Sequence, residues 1–322
     1  MTDPIGVIEA AYDVTGSTES WLSELAKAAA GALGSQGAMA FQYDASSGDW
    51  VHIQNLTSVG LPAGFAEQFF NQPDMSPEKA IRSAQIFTTS KFDPMRELVS
   101  DLGPELPAVL DRFGIEDMAC INATDPTARG CAIAVAVPRG AIAVRTTHLW
   151  RRLCAHIAAG YRLRRALDAL AASGADAVAG AEAVLTPQGK LEHAVGPAEA
   201  RKGREALQSA LVRIERARSR REGVERSVEL WRGLVSGRWS VVEHFESAGK
   251  RYYLAHKNDP ELARDRALTP REQQVLRYAE LGQSNKLIAY SLGLSISTVS
   301  TLLSKARRKL GSSVDLLRSS SD

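Results

Sequence analysis

The stretch with the clearest chemistry lies near the C-terminus, where short hydroxyl side chains are followed by cations. In SISTVSTLLSKARRKL the apolar residues recur three or four positions apart, as they do on one face of a helix. The opposite face then carries Ser300, Thr301, Ser304, Lys305 and Arg308. Hydroxyl groups can hydrogen-bond base edges or bridging waters, whereas Lys and Arg reach phosphates. This face is therefore predicted to contact a polyanion such as duplex DNA.

Capping signals delimit the helix that opens this C-terminal region. In LTPREQQVL, Thr269 stands at the N-cap, Pro270 at the first helical position and Glu272 where its side chain reaches back to the cap. Gly282 can take the left-handed conformation that ends such a helix. The spacing predicts a first helix between Thr269 and Gly282.

Two further helices are predicted around a short turn. Ser284 is placed to cap the second helix, Gly293 can take positive φ in the turn, and Ser295 can cap the third helix. The free N–H groups at the starts of these two helices, near Asn285 and Thr298, are natural phosphate sites. The pattern is typical of a helix-turn-helix.

The motifs LTPREQQVL, GQSNKLIAYSLGLS, STVSTLL and ARRKLG closely resemble the four-helix DNA-binding domain of LuxR/FixJ-type transcription regulators, over about residues 266–318. The resemblance implies a recognition helix over 296–310. It departs from the family at Ser300, where a basic residue is common, and at Leu302, where a histidine is common. The loop after Gly311 is also about two residues shorter, which leaves SSVDLLRSSSD as a curtailed fourth helix, the one that often dimerises the domain.

The resemblance also assigns roles to individual residues. Ser300, Thr301 and Ser304 take positions that usually meet bases, whereas Lys286, Thr298 and Lys305 lie near the DNA backbone. The full set of predicted DNA-binding residues is Ser284, Asn285, Lys286, Thr298, Ser300, Thr301, Ser304, Lys305 and Arg308. The fourth region of small sigma factors resembles this helix too, which keeps a sigma-factor-like partner of RNA polymerase open as an alternative.

Charge is distributed unevenly along the 322 residues. From residue 262 onward there are 10 Lys and Arg against 5 Asp and Glu, whereas the rest has 29 against 32. A basic C-terminal region favours a polyanionic partner. The length itself predicts two or three domains.

The upstream sequence predicts a multidomain α+β fold in which two sheet-containing modules precede the all-α C-terminal domain. The first module, 1–172, has the order helix, hairpin, irregular helical insert, two core strands and long helix, and resembles GAF-type sensor domains. Its predicted elements are helices over 18–33 and 64–72, strands over 38–45, 49–56, 114–123 and 130–138, an irregular segment over 77–112, and the long helix over 144–172.

The second module, 180–258, resembles a reduced PAS-type domain. Hairpins are predicted over 182–195 and 239–257, with charged helical sequence over 198–235 between them. Within that helical sequence an apolar stripe is formed by Leu207, Ala210, Leu211 and Ile214. Packing onto the adjacent sheet is favoured over a coiled coil, since no heptad is sustained. The C-terminal domain is then 262–322.

Two features of the first module suggest a signal-responsive site. Aromatic and polarisable residues on the predicted sheet, which are alternatively ordinary sheet residues, are candidates for a ligand pocket: Phe41, Tyr43, Trp50, His52 and Met118. Cys120 and Cys131 lie about equally far from the turn between their strands, so they are expected to stand nearly opposite one another. They are then either two buried thiols or a redox pair.

Six arginines and no acid lie between Arg145 and Arg165 on the long helix. They predict a solvated or internally paired face, with an accessory DNA or partner surface as the alternative. His148, Cys154 and His156 share this helix, but none is three or four residues from another, so no metal site is predicted there.

Several classes of protein are disfavoured by the sequence. No apolar run reaches about 18 residues, so no membrane partner is expected, and the acidic N-terminus is unlike a secretory peptide, which favours the cytoplasm. No P-loop, GxSxG, HExxH or strand-linked GxGxxG is present, so neither an enzyme nor a cofactor is predicted; an enzyme with a helix-turn-helix appendage stays the weaker alternative. The prediction is a cytoplasmic, dimeric regulator of an inverted-repeat operator, with RNA polymerase and a small-molecule signal as further candidate partners.

Overall fold

The part of the chain that the structure describes contains two antiparallel sheets followed by three helices. A computed structural model describes residues 3–71, 76–88, 90–142, 144–175, 177–218, 223–236, 239–245, 251–258 and 268–319. The first sheet has the strand order β2-β1-β5-β4-β3, and the second has the order β7-β6-β9-β8.

The first sheet lies between two layers of helices. Its elements are α1 Pro4–Ala11, α2 Thr18–Ala32, β1 Ala38–Asp44, β2 His52–Val59, α3 Phe65–Phe70, α4 Pro77–Phe87, β3 Lys91–Pro94, α5 Met95–Leu98, α6 Glu105–Arg112, β4 Asp117–Thr124, β5 Arg129–Val137 and α7 Val144–Ala172. All eight residues of β4 are buried, because α7 covers one face of the strand and α5 contacts the other side of the sheet. The predicted hairpin, core strands and long helix are confirmed.

The segment predicted to be irregular, 77–112, contains the helices α4, α5 and α6 and the strand β3. This strand has four residues, one of them Pro94, and lies at the edge of the sheet. Proline is tolerated on an edge strand because its missing N–H leaves no central ladder bond unmade. Such a short strand carries too little pattern for sequence analysis to find.

Cys120 and Cys131 do not face one another. The register pairs Cys131 with Ala123 and Cys120 with Ala134. An offset of three residues places the two thiols on opposite faces of the sheet, since side chains alternate along a strand. The expectation that they stand opposite is therefore wrong, and burial raises the pKa of both thiols.

The second sheet is built by two hairpins that enclose a helix pair. Its elements are β6 Ala183–Leu185, β7 Leu191–Ala194, α8 Arg201–Arg218, α9 Val224–Ser236, β8 Trp239–Phe245 and β9 Arg251–Lys257. The predicted apolar stripe of α8 is buried within this unit, as expected for packing rather than for a coiled coil. One buried cluster also runs across both sheet regions, with the ring of Tyr12 stacked 6.5 Å from that of Trp231.

The C-terminal helices are α10 Pro270–Glu280, α11 Asn285–Leu292 and α12 Ile296–Ser319. The prediction of a fourth helix is wrong for the described residues, because α12 continues through Gly311 without a break. A glycine inside a helix costs only about 1 kcal/mol relative to alanine, and the backbone hydrogen bonds of a continued helix offset that cost.

Among the described residues, no single helix has the length and apolar character of a membrane span. The bent pair Asn285–Leu292 and Ile296–Leu310 meets that test of length and composition only when its two helices are taken together.

Candidate nucleic-acid interface

A capping box holds the first C-terminal helix and also ties it to the third. The Thr269 hydroxyl accepts a hydrogen bond from the Glu272 N–H (3.3 Å), and the Glu272 carboxylate accepts one from the Thr269 N–H (2.9 Å). Lys309 of α12 donates to the same carboxylate at 2.7 Å. The hydrogen bonds from Lys309 and Thr269 lower the pKa of Glu272 to about 2. Lys309, in the basic run at the end of the motif, is thus engaged within the protein.

The turn between α11 and α12 follows the predicted capping pattern. The Ser284 hydroxyl accepts from the Leu287 N–H (3.3 Å), and the Ser295 hydroxyl accepts from the Thr298 N–H (3.0 Å). Gly293 is left-handed with φ 65°, a conformation that costs glycine little. The helices meet at 103°, within the range typical of helix-turn-helix units.

A small core keeps that angle. Ile288 and Leu292 of α11 pack with Val299 and Leu303 of α12 in one buried cluster. Leu302, predicted to face inward, is half-buried at the margin of this cluster. Side chains on the opposite side of α12 are thereby presented to solvent in a fixed orientation.

The predicted base-contacting residues form an exposed strip on α12, here called the reading edge: Ser300, Thr301 and Ser304. The Thr301 hydroxyl donates to the Ser297 carbonyl (2.9 Å), so its oxygen is left to act as an acceptor. The Ser300 hydroxyl accepts from the Asn285 side-chain amide (3.3 Å). An acceptor is suited to the exocyclic amino groups of adenine and cytosine in the major groove.

The other predicted DNA-binding residues flank this edge. Ser284, Lys286, Thr298, Lys305 and Arg308 are exposed, and Asn285 is half-buried. The Thr298 and Ser295 hydroxyls lie 2.7 Å apart, which keeps both at the start of α12. The structure therefore leaves all the predicted cations of this surface open to solvent.

Residues 266–316 match the family model described as bacterial regulatory proteins, luxR family. The C-terminal domain is of the LuxR type. The match spans α10, α11 and most of α12, and it suggests DNA-binding transcription regulation. No curated protein and no solved structure matches the chain.

The LuxR-type domain is docked on the upstream region through Tyr290, on the face of α11 away from the core. Its hydroxyl donates to the Val228 carbonyl of α9 (3.1 Å) and lies 2.8 Å from Nε2 of His156 in α7. The Tyr12 hydroxyl is 3.4 Å from the other ring nitrogen, Nδ1. Since the Tyr290 hydrogen goes to Val228, Nε2 carries the imidazole hydrogen and Nδ1 accepts from Tyr12.

His156 is fully buried at this contact, and burial lowers its pKa to about 3. A neutral imidazole is what the hydrogen-bond directions require. The sequence did not reveal this role, because His156 and Tyr290 are 134 positions apart. The one sequence feature that points to this contact is Tyr290, a large aromatic residue in a helix whose other described buried residues are aliphatic or small.

Two smaller contacts join the LuxR-type domain to the first sheet. The Gln283 side-chain amide lies 3.4 Å from the Ser90 hydroxyl, just before β3. The Arg277 guanidinium donates to the Pro126 carbonyl in the β4–β5 turn (2.9 Å). The last turn of α10 and the loop that follows it thus contact the first sheet module directly.

The predicted ligand-pocket residues are only partly brought together. A cavity of about 350 Å³ lies between the first sheet and helices α3 to α6, and Phe41 and Trp50 line it. Tyr43 is buried beyond its end, where the hydroxyl donates to the Phe87 carbonyl (3.1 Å). His52 lies on the exposed strand β2. Met118 packs in a buried cluster with Met39 and Phe65. The cavity also has lining residues that the sequence did not indicate, among them Ile86, Met95, Leu98 and Asn122.

The described residues contain no cluster of three or more His, Cys, Asp or Glu side chains arranged to hold a metal ion. Of the three residues considered on α7, His156 is occupied by the two tyrosines and Cys154 donates to the Lys91 carbonyl at 3.4 Å. His148 is exposed near the other end of this helix segment.

Proposed function

We propose that this chain is a sequence-specific DNA-binding transcription regulator that reads base edges with Ser300, Thr301 and Ser304. The observation that carries the proposal is the exposed hydroxyl strip on α12, held opposite a buried core at a 103° turn. A slender polar face of this kind can enter the major groove. The cations beside it, Lys305 and Arg308, reach the phosphates and supply affinity without sequence preference.

The test is selection of bound DNA from a random pool by the full chain and by variants. Thr301→Ala and Ser304→Ala relax the preference at individual base positions. Lys305→Ala weakens binding to all sequences and reduces the slope of log affinity against log salt by about 1. Gln208→Ala, an exposed change on α8, is the matched control and leaves both properties unchanged. Unaltered selectivity in both hydroxyl variants would overturn the assigned reading edge.

We propose further that the protein binds an inverted-repeat operator as a homodimer. The strand β2 supports a self-association surface, because it exposes Ile53 and Leu56 and lies at the edge of the sheet formed by the described residues, where backbone groups can pair with another chain. In a two-fold complex the two recognition helices lie about 34 Å apart or a multiple of that distance. Sedimentation equilibrium and the half-site spacing of the selected sequences test this, and single half-sites bound by monomers would contradict it.

The upstream modules, GAF-like over 1–172 and PAS-like over 180–258, are proposed to control the LuxR-type domain in response to a small molecule. The order of their elements supports the two likenesses. The cavity supports a ligand that is uncharged and mainly apolar, because none of the described residues that line it has a charged side chain and an unpaired buried charge is costly. Met39, Phe41 and Ala134 form part of its sheet wall.

Two fluorescent probes of similar shape test the cavity. Uncharged N-phenyl-1-naphthylamine binds, whereas the anionic 1-anilinonaphthalene-8-sulfonate binds at least roughly ten-fold more weakly, because its sulfonate finds no partner. Ala134→Phe fills the cavity and reduces binding of the uncharged probe, whereas Val212→Phe, on the exposed side of α8, does not. Equal binding of the two probes would contradict an uncharged ligand.

The alternatives have less support. A sigma-factor-like partner of RNA polymerase needs a helical promoter-melting domain upstream, and the described upstream region instead contains two antiparallel sheets. We propose a regulator acting in the cytoplasm, with RNA polymerase as a partner at the promoter, rather than an enzyme with a DNA-binding appendage. Binding that falls steeply with salt together with a specific footprint supports the regulator.

A further inference from the structure

An open groove of about 370 Å³ separates the upstream helices α7 and α9 from the LuxR-type domain. One wall carries Arg151 and Arg152 of α7 with Glu229 of α9. The other wall is formed by the first turns of α11 and α12, including Ser284 and Lys286. Two modules that are distant in sequence thus face each other across a cleft that carries charged side chains on both walls.

The groove has a defined width because its base is a specific contact. Tyr290 is fixed there by the Val228 carbonyl and His156, and the Arg152 guanidinium lies 5.6 Å above the tyrosine ring. Ala155 packs against the same ring. Hydrogen bonds, ring contact and apolar packing hold this base, so the groove is formed without a ligand.

Charge in the groove favours an anion. Arg151, Arg152 and Lys286 line it together with one carboxylate, Glu229, which lies 3.8 Å from Arg152. Arg151 is exposed, and it has no salt bridge with any residue in the described part of the chain. Arg164 of the same helix differs, since its guanidinium donates to three backbone carbonyls inside the fold.

The position of the groove indicates which anion it takes. Lys286 is also a predicted DNA-backbone contact and Ser284 a predicted DNA-binding residue, and Thr298 and Ser300 follow Ser295 and Ile296 of the groove within about one turn of α12. The groove therefore opens beside the reading edge, where a phosphate strand of bound DNA would pass. An extended polyanion suits an open cleft, and phosphate contacts position a protein on a duplex without reading sequence.

We propose that the upstream module is part of the DNA interface, with Arg151 of α7 contacting the phosphodiester backbone across the groove from Lys286. This inference rests on the proposed DNA binding of the LuxR-type domain. It makes α7 a direct contributor to affinity, so that any displacement of α7 changes DNA binding without altering the reading edge.

The experiment measures the affinity of the full chain for its selected operator across a range of NaCl concentrations. Arg151→Ala lowers affinity by roughly three- to ten-fold and reduces the log–log salt slope by about 1, equally for operator and unrelated DNA. Arg151→Lys retains the slope, because it keeps the charge that displaces a counterion. Arg165→Ala is the matched control, since Arg165 is exposed on the same helix but does not line the groove.

The outcomes separate this inference from the function on which it rests. An unchanged slope in Arg151→Ala, with normal operator selectivity, overturns the inference and leaves the proposed function standing. Tighter binding by Arg151→Ala also overturns it, because α7 would then obstruct the DNA. Wild-type protein without selective, salt-dependent binding overturns the proposed function itself.

Discussion

The C-terminal helices and the upstream sheets are held by contacts of very different range. In the LuxR-type domain, Thr269, Ser284 and Ser295 each cap a helix through a hydrogen bond to a residue three positions away. In the upstream region, Arg164 donates to carbonyls about 150 positions away, and Tyr12 meets His156 across 144 positions. The surface proposed to read DNA is thus shaped locally, whereas the surface that docks it depends on contacts between distant parts of the chain.

Helix α11 is where these two kinds of organisation meet. Ile288 and Leu292 belong to the core of the LuxR-type domain, but Tyr290 lies in a separate cluster with Ala155 of α7. One short helix therefore supports the reading edge with one face and joins the upstream modules with the other. Changes on the two faces are expected to separate DNA reading from docking.

The largest expected effect is a loss of stability when Leu303 is replaced, compared with its neighbour Ser304 on the opposite face of α12. Leu303→Ala removes a buried side chain from the small core and lowers the local stability of α11 and α12 by about 2–4 kcal/mol. Ser304→Ala is exposed and changes stability by less than about 0.5 kcal/mol. Native-state hydrogen exchange of the helix amides measures both. Equal losses in the two variants would show that the reading edge also serves as core.

A second effect is expected on acidification, at the contact between the two regions. The folded pKa of His156 is about 3, below its ordinary value, so the folded contact holds the neutral ring. Its contribution is complete above about pH 6.5 and is lost as the pH falls toward 3, by about 1.4 kcal/mol per unit. Near pH 5 the docked state is then weakened by about 2 kcal/mol, because protonated Nδ1 can no longer accept from Tyr12.

Hydrogen exchange of α11 between pH 7.5 and pH 5 measures this weakening, after correction for the intrinsic exchange rate. His156→Gln removes the pH dependence, and His193→Gln, an exposed change in β7, keeps it. His256, whose pKa is also lowered by burial, lies in β9 and contributes to the second sheet instead. A pH dependence that persists in His156→Gln would assign the effect to another group.

The smallest expected effect is the loss of stability when the N-cap hydrogen bond of Thr269, which is local to α10, is removed. Thr269→Ala removes the N-cap acceptor of α10 and costs about 1 kcal/mol, confined to the first turn of that helix. Thr269→Ser retains the hydroxyl and most of the stability. Amide exchange of α10 measures the difference, and a loss that spreads to the upstream sheets would contradict the local character of these helices.

Sequence reasoning found most elements but not their mutual placement. The three caps, the left-handed Gly293 and the exposed hydroxyl strip were all correct, since each depends on residues within one or two helical turns. The strands β8 and β9 were predicted over the observed residues, because turn signals and β-branched or aromatic residues mark them clearly. Strand β3 was missed, since it is short and pairs with a strand about thirty residues away.

The wrong predictions concern the pairing of strands and the end of a helix, which a short stretch of sequence does not decide. Cys120 and Cys131 were misplaced because a distance from the turn does not define how strands pair, and a shift of one residue reverses a face. The end of α12 was misplaced because Gly311 was taken as a helix stop, whereas a glycine inside a helix costs only about 1 kcal/mol relative to alanine and α12 continues past it. Of the candidate pocket residues, Phe41 and Trp50 line the cavity, whereas Tyr43 shares a strand face with Phe41 but lies beneath Phe87.

The sequence by itself determined the helix-turn-helix and its reading edge, because capping bonds, turn geometry and helical periodicity act within a few residues. Only the tertiary structure decided what that unit contacts. The chain of hydrogen bonds from Tyr12 through His156 and Tyr290 to Val228, and the groove where Arg151 faces Lys286, join elements separated by more than sixty positions. Such contacts require the sheets and helices to be packed first, and no local pattern encodes their distance in space.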